Sequence, residues 1–166
     1  MKLEDFGTFV IFTALYAAGT LGLLGVLKFT LLAYQVKVGE IPTAFVAIFG
    51  FPAVLGLTLG QFIANLGVEA SPIAMISPVV SFVGLLVVYR LRKVSTLAGC
   101  IAYIILTSAW LAYLLPITSG VSSTDAAFSA FLGQTVAVMI GYVAYLVANR
   151  MRSTLATPQT EQSAQH

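Results

Sequence analysis

The chain has 166 residues, 59% hydrophobic and 8% charged, with a net charge of +2 and a mean hydropathy of +0.98. A water-soluble domain carries about 25% charged residues, and a chain this short cannot hide so much apolar surface in a core of its own. The composition excludes an ordinary soluble domain and makes the bilayer the natural solvent. In hydrocarbon every backbone donor and acceptor must be paired internally, which leaves helices or a closed barrel. Long uninterrupted apolar runs, not an alternation of apolar and polar residues, select helices.

The first run spans Phe6 to Leu27, after Lys2, Glu4 and Asp5. It lacks the positive leader and small-residue cleavage site of a secretory signal, so it reads as a retained helix. A mixed stretch from Lys28 to Glu40 follows. Ile41 to Leu66 is apolar but interrupted by Gly50-Phe51-Pro52, and fits either two short helices or one kinked one. Ser71 to Tyr89 closes on Arg90, Arg92 and Lys93. Leu97 to Leu115 is expected to end at Pro116, and Ala126 to Ala148 closes on Arg150 and Arg152. Residues 1–152 thus form a single membrane domain, and the polar stretch 153–166 is expected to be a disordered tail.

Basic residues collect on the cytoplasmic side of membrane proteins. If Ile41 to Leu66 makes two crossings, six crossings result with both termini cytoplasmic, and only Lys28 and Lys37 lie outside. With five crossings, one of the two basic clusters would have to face outward. The expected fold is therefore an all-α integral membrane protein with six transmembrane helices, multi-pass in the plasma membrane. Short segments broken by Gly and Pro are tolerated where they line a cavity.

Polar side chains within apolar runs are costly and tend to face a cavity or one another. Glu40 opens the second segment, where a helix N-terminus favours a carboxylate. It reads either as a solute-binding acid or as an interface-exposed cap beside Lys37. Gln61 and Asn65 are four residues apart and share a helix face, fit either for a ligand's polar edge or for bonds across helices. Gln134 lies in the last run. Tyr103, Trp110, Tyr113 and Tyr142 suit core or interface positions, or stacking on a flat ligand. Ala14, Ala17 and Ala18 form a small-residue stripe that lets another helix approach closely, from this chain or from a partner.

Three stretches carry a resemblance: Ala14-Leu15-Tyr16-Ala17-Ala18, then Tyr34-Gln35-Val36-Lys37-Val38-Gly39-Glu40, then Phe51-Pro52 through Gly60-Gln61-Phe62-Ile63-Ala64-Asn65-Leu66. In that order they resemble the QueT-like family of queuosine-precursor transporters, the substrate-binding S components of energy-coupling factor (ECF) transporters. The strongest likeness runs from Tyr34 to Leu66. Lys37, Gly39 and Gln61 stand where that family often has arginine, serine and cysteine, and Gln134 stands in place of an acid. The resemblance implies a six-helix protein that captures a vitamin-like solute at the outer face. It implies docking through Ala14, Ala17 and Ala18 onto a transmembrane coupling subunit driven by two cytosolic ATPases, and a lid formed by Phe29 to Gly39. The implied solute is a 7-deazaguanine. Glu40 would accept its two adjacent N–H donors. Gln61, Asn65 and Gln134 would address its other polar atoms, with Tyr34 or Trp110 stacking on the ring.

The other function classes have less in the sequence to support them. No GxxxxGK[ST] loop is present, so any ATPase lies in another chain. The only histidine is His166, and Cys100 has no acid or histidine nearby in sequence, so neither a catalytic set nor a metal or cofactor site is expected. Nothing points to nucleic acid. A stand-alone small transporter would favour an ionisable residue at a helix centre, whereas Glu40 and Asp125 lie near segment ends. An S component for another vitamin-like solute remains an alternative.

Overall fold

A computed structural model describes residues 2–21, 30–31, 34–35, 38–68 and 71–156. Helix α1 is Leu3–Leu21, with Glu4 and Asp5 in its first turn, where the helix dipole favours acids. Strands β1 (Thr30–Leu31) and β2 (Tyr34–Gln35) form a two-residue antiparallel pair, the one exception to an otherwise helical fold among the described residues. Lys28 and Lys37, and with them residues 29, 32–33 and 36 of the stretch expected to form a lid, lie outside the described residues. A 3₁₀ segment, Val38–Phe45, runs into the short helix α2, Val46–Phe49. Then come α3 (Phe51–Val68), α4 (Ser77–Leu91), α5 (Thr96–Ser119) and α6 (Ser123–Ala156).

The apolar stretch 41–66 is two segments, separated at one residue. Gly50 has φ 74° and ψ −152°, a conformation open in effect only to glycine. The chain reverses there. Phe49 packs on Phe12 while Gly39 lies against Tyr16 and Gly19, so the 3₁₀ segment with α2 runs antiparallel to α1. On the far side of the reversal, Gly56 meets Phe9 and Phe12 and Gly60 meets Thr13 and Tyr16, so α3 runs parallel to α1.

Two expected boundaries are corrected. Pro116 does not end α5, which continues to Ser119 and stops at Gly120 in the left-handed conformation (φ 66°). A proline removes one backbone N–H from a helix, and here that loss falls in the last turns. The Thr118 hydroxyl and the Gly120 N–H bond the Leu114 and Pro116 carbonyls. Helix α6 runs through Ala156, four residues into the stretch assigned to the tail, and residues 157–166 lie outside the described ones. Here the Ser153 and Thr154 hydroxyls both bond the Arg150 carbonyl, so these polar residues are held within the helix.

Around the bundle α1 packs on α3, α3 on α4, α4 on α5, and α5 on α6; α6 packs on the 3₁₀ segment, which returns to α1. The second segment thus closes the ring between the first and last helices. Glycines seat it. A Cβ on Gly19 would lie 3.1 Å from the Gly39 nitrogen, and one on Gly141 would overlap the Ile41 carbonyl. Beside the second segment, Gly56 and Gly60, a GxxxG pair, let α3 approach α1 backbone to backbone: their Cβ atoms would lie 2.5 and 2.6 Å from the Phe9 and Thr13 carbonyls.

Contacts elsewhere set the remaining directions. Thr96 bonds Tyr145 at 3.2 Å, and Gly99 packs on Val88, so α4, α5 and α6 alternate. The start of α1, Gly50, the Arg92–Lys93 loop and the end of α6 therefore share one end of the bundle. Arg92 lies there over the Tyr89 ring, 4.2 Å from its centroid, with a guanidinium nitrogen 3.1 Å from where a Gly50 Cβ would be. Three spans, Ala74–Leu91, Thr96–Ser119 and Ser123–Thr154, are long and apolar enough to cross a membrane. Their outward faces carry exposed Val83, Ile101, Ile105, Ile140, Val143 and Val147, the pattern of a lipid-facing surface.

Two expectations follow. Gly141→Ala should cost well over the roughly 1–3 kcal/mol typical of overpacking, because backbone, not a side chain, blocks the Cβ. Gly7→Ala, with nothing within 4 Å, should melt at or slightly above wild type. Thermal melting in detergent checks both, and equal melting of the two variants would refute the seat. In a Cys100→Ala background, Val94→Cys and Arg152→Cys should react with an impermeant thiol reagent from one side of the membrane and Ser122→Cys from the other. Labelling of all three from one side would contradict the alternating directions.

Candidate functional site: a closed cavity around Glu40

The 3₁₀ segment carries Glu40 inward. Eight residues is long for a 3₁₀ helix, and Pro42 lies inside it. Glu40 is 1% exposed. The reading of this residue as an interface-exposed cap is therefore overturned. Its Oε1 accepts from the Tyr16 hydroxyl of α1 at 2.8 Å, and its Oε2 accepts from the Tyr103 hydroxyl of α5. Ser81 and Thr43 hydroxyls lie beside the Tyr103 phenol. One carboxylate thus joins three parts of the ring.

Glu40, Gln61, Ser77, Ser81, Thr107, Trp110, Leu111 and Gln134 line one cavity of about 10 Å³, close to what one water needs. Gln61 and Gln134 are 4% and 2% exposed, and the Oε1 of each is buried without a hydrogen-bond partner. Such an atom carries a desolvation penalty of about 1–3 kcal/mol until something donates to it. Trp110 donates its indole N–H to Ser77 Oγ at 2.8 Å, which fixes the ring in the wall. Thr107 bonds the Tyr103 carbonyl of its own helix at 2.8 Å. Ser77 opens α4, whose other end carries Arg90, and Gln134 lies in the first half of α6. The cavity therefore sits in the half of the bundle away from the basic loop.

The structure brings together four of the six residues expected to bind a solute: Glu40, Gln61, Trp110 and Gln134. Asn65 is not among them. Its Nδ2 donates to the Ala74 carbonyl at 3.1 Å and ties the end of α3 to the start of the next segment, so the Gln61/Asn65 face divides into a cavity residue and a tether. Tyr34 falls in β2, and its side chain lies outside the described part of the structure. The sequence reading missed Tyr16, Ser77, Ser81 and Thr107, and it weighed Tyr103 as a core, interface or stacking residue and not as a donor to Glu40. A usable signal existed: a buried carboxylate needs donors, and buried phenols need acceptors. Ala14 and Ala18 face outward beside exposed Ile11 and Leu15, while Ala17 is half-buried. Among the described residues, Gly56 and Gly60 carry the close helix contact, on another face of α1. Gly39, where serine was the expected residue, has no room for a side chain: a Cβ would lie 2.5 Å from Thr20 Oγ1 and 2.9 Å from the Tyr16 carbonyl.

Among the described residues no three His, Cys, Asp or Glu side chains gather where a metal could sit. Comparison with protein-family models, with curated proteins and with solved structures finds no match for this chain.

Chemically the site offers a carboxylate, which only accepts, and two amides, each of which both accepts and donates. A carboxylate has about four acceptor positions, of which the two phenols occupy one on each oxygen. Glu40→Leu should leave both phenols without their acceptor and lower stability by roughly 2 kcal/mol or more. A several-degree fall in the melting temperature of the detergent-purified chain is expected; unchanged melting would mean that the clamp contributes nothing to the fold.

Proposed function

We propose that this chain is the solute-binding membrane subunit of an ECF-type uptake transporter, and that its solute is a 7-deazaguanine related to the queuosine precursors. The observation that carries this reading is the convergence of a buried carboxylate and two unpartnered amide oxygens on one cavity. A membrane protein pays for such groups only where they serve something. A 7-deazaguanine offers two adjacent N–H donors to a carboxylate and a flat ring to Trp110. The sequence likeness over Tyr34 to Leu66 supplies the family.

In this reading the chain crosses the plasma membrane six times, with both termini and the basic loops cytoplasmic. The cavity then lies toward the outer face. Ligand pockets run to about 300–1,000 Å³, so the present cavity is a closed state and a solute binds by parting its walls. Binding needs no catalysis by this chain. The energy comes from two cytosolic ATPases through a coupling membrane subunit, which docks on the outward stripe of Ala14 and Ala18. Two observations support that docking: the stripe is exposed, and it borders an apolar groove lined by Ile11, Leu15, Phe45 and Phe49.

Calorimetry with a panel of 7-deazaguanines on the detergent-purified chain tests the reading. Sub-micromolar binding is expected, about a hundredfold weaker or absent in Glu40→Gln, where an acceptor-only group gains a donor. Trp110 is the only tryptophan, so the same titration should change its fluorescence. Binding that survives Glu40→Gln would move the solute away from the carboxylate. Failure of every member would remove 7-deazaguanines as the solute.

A further inference from the structure

Glu40 is more constrained than a lone buried acid. Its two oxygens are bonded by phenols anchored on different helices, α1 and α5. Two such anchors prevent the carboxylate plane from turning. They leave one acceptor position on each oxygen. Glu40 lines the cavity with Gln61 and Gln134, whose Oε1 atoms are buried without a hydrogen-bond partner. Groups held in place before binding lose little freedom when a ligand arrives, and a fixed polar site rejects a ligand that cannot match it.

We propose that the Tyr16–Glu40–Tyr103 clamp makes the cavity select for an edge with two parallel N–H donors, of the amidine, guanidine, urea or 2-aminopyrimidin-4-one kind, with Tyr16 and Tyr103 as positioning residues. The proposal rests on the reading of this cavity as a solute site, and it names what that site measures. A carbonyl in place of one donor would face a carboxylate oxygen, setting acceptor against acceptor. A single N–H would leave the second oxygen unmatched. Neither phenol need touch the solute. Each acts by fixing the direction in which Glu40 accepts.

Two matched pairs of probes separate this proposal from the solute assignment: 7-deazaguanine against 7-deazahypoxanthine, which lacks the exocyclic amine, and phenylurea against acetanilide, both neutral and differing in the second N–H donor. Binding to the detergent-purified full chain is read by calorimetry and by Trp110 fluorescence. The two-donor member of a pair should bind at least about tenfold more tightly. Tyr16→Phe and Tyr103→Phe should each shrink that ratio several-fold. If the phenols only support the fold, both members weaken together and the ratio stays, which would overturn their positioning role. Using both variants keeps the test alive if one fails to fold. If phenylurea outbinds acetanilide while neither 7-deazapurine binds, the solute assignment fails and the donor-edge selection stands. If both 7-deazapurines bind alike, the solute site stands and the selection is wrong. If no member of either pair binds, both fall.

Discussion

The fold turns on a carboxyl group held away from water. Moving an ionised carboxylate into an apolar interior costs several kcal/mol, and only well-placed donors offset that cost. Glu40 finds its donors on Tyr16 and Tyr103, 24 residues before it and 63 after it in the chain. Neither is available unless α1, the 3₁₀ segment and α5 come together. The same interaction that makes Glu40 tolerable therefore specifies which elements surround it. It also accounts for the inward course of the second segment, since an α-helix starting farther along would leave the acid at the surface.

Glycine makes that course possible. The second segment is too short and too irregular to hold its place by an apolar face alone. It is held by backbone contact, on Gly19 of α1 at one side and on Gly141 of α6 at the other. Gly56 and Gly60 bring α3 close to the adjoining face of α1, so that helix has glycine-mediated contacts with two neighbours. Without Cβ atoms at these positions, side chains such as Gln61 and Tyr16 reach the centre from backbones that nearly touch. The site is small because the walls are close.

The membrane class was legible from composition, and the broken second and third segments from Gly50 and Pro52. The basic clusters had favoured two segments over one in this stretch, and Gly50 does reverse the chain between two segments, both shorter than the three spans long enough to cross a membrane. Glu40, Gln61, Trp110 and Gln134 were legible as candidates because polar atoms are expensive in hydrocarbon. Their partners were not. A tyrosine in an apolar run reads the same whether its hydroxyl meets headgroups or a buried acid, and only the fold tells Tyr103 from the exposed Tyr113. Asn65 looked equal to Gln61 by spacing, yet one helical turn is enough to put it beside the Ala74 carbonyl instead of the cavity. The ends of α5 and α6 were misjudged for a local reason. Proline and serine are read as stops, but hydroxyls bonded to carbonyls three or four residues back let both helices continue.

The seat at Gly141 has a consequence for biosynthesis. The second segment leaves the ribosome early, but one of the two surfaces it rests on belongs to α6, which leaves last. Until then the ring is open, and one side of the segment that carries Glu40 has no protein neighbour to close against. A ribosome that stalls before α6 is made leaves this acid in an incomplete enclosure. The enclosure of Glu40 is therefore completed only when the last helix packs against the second segment.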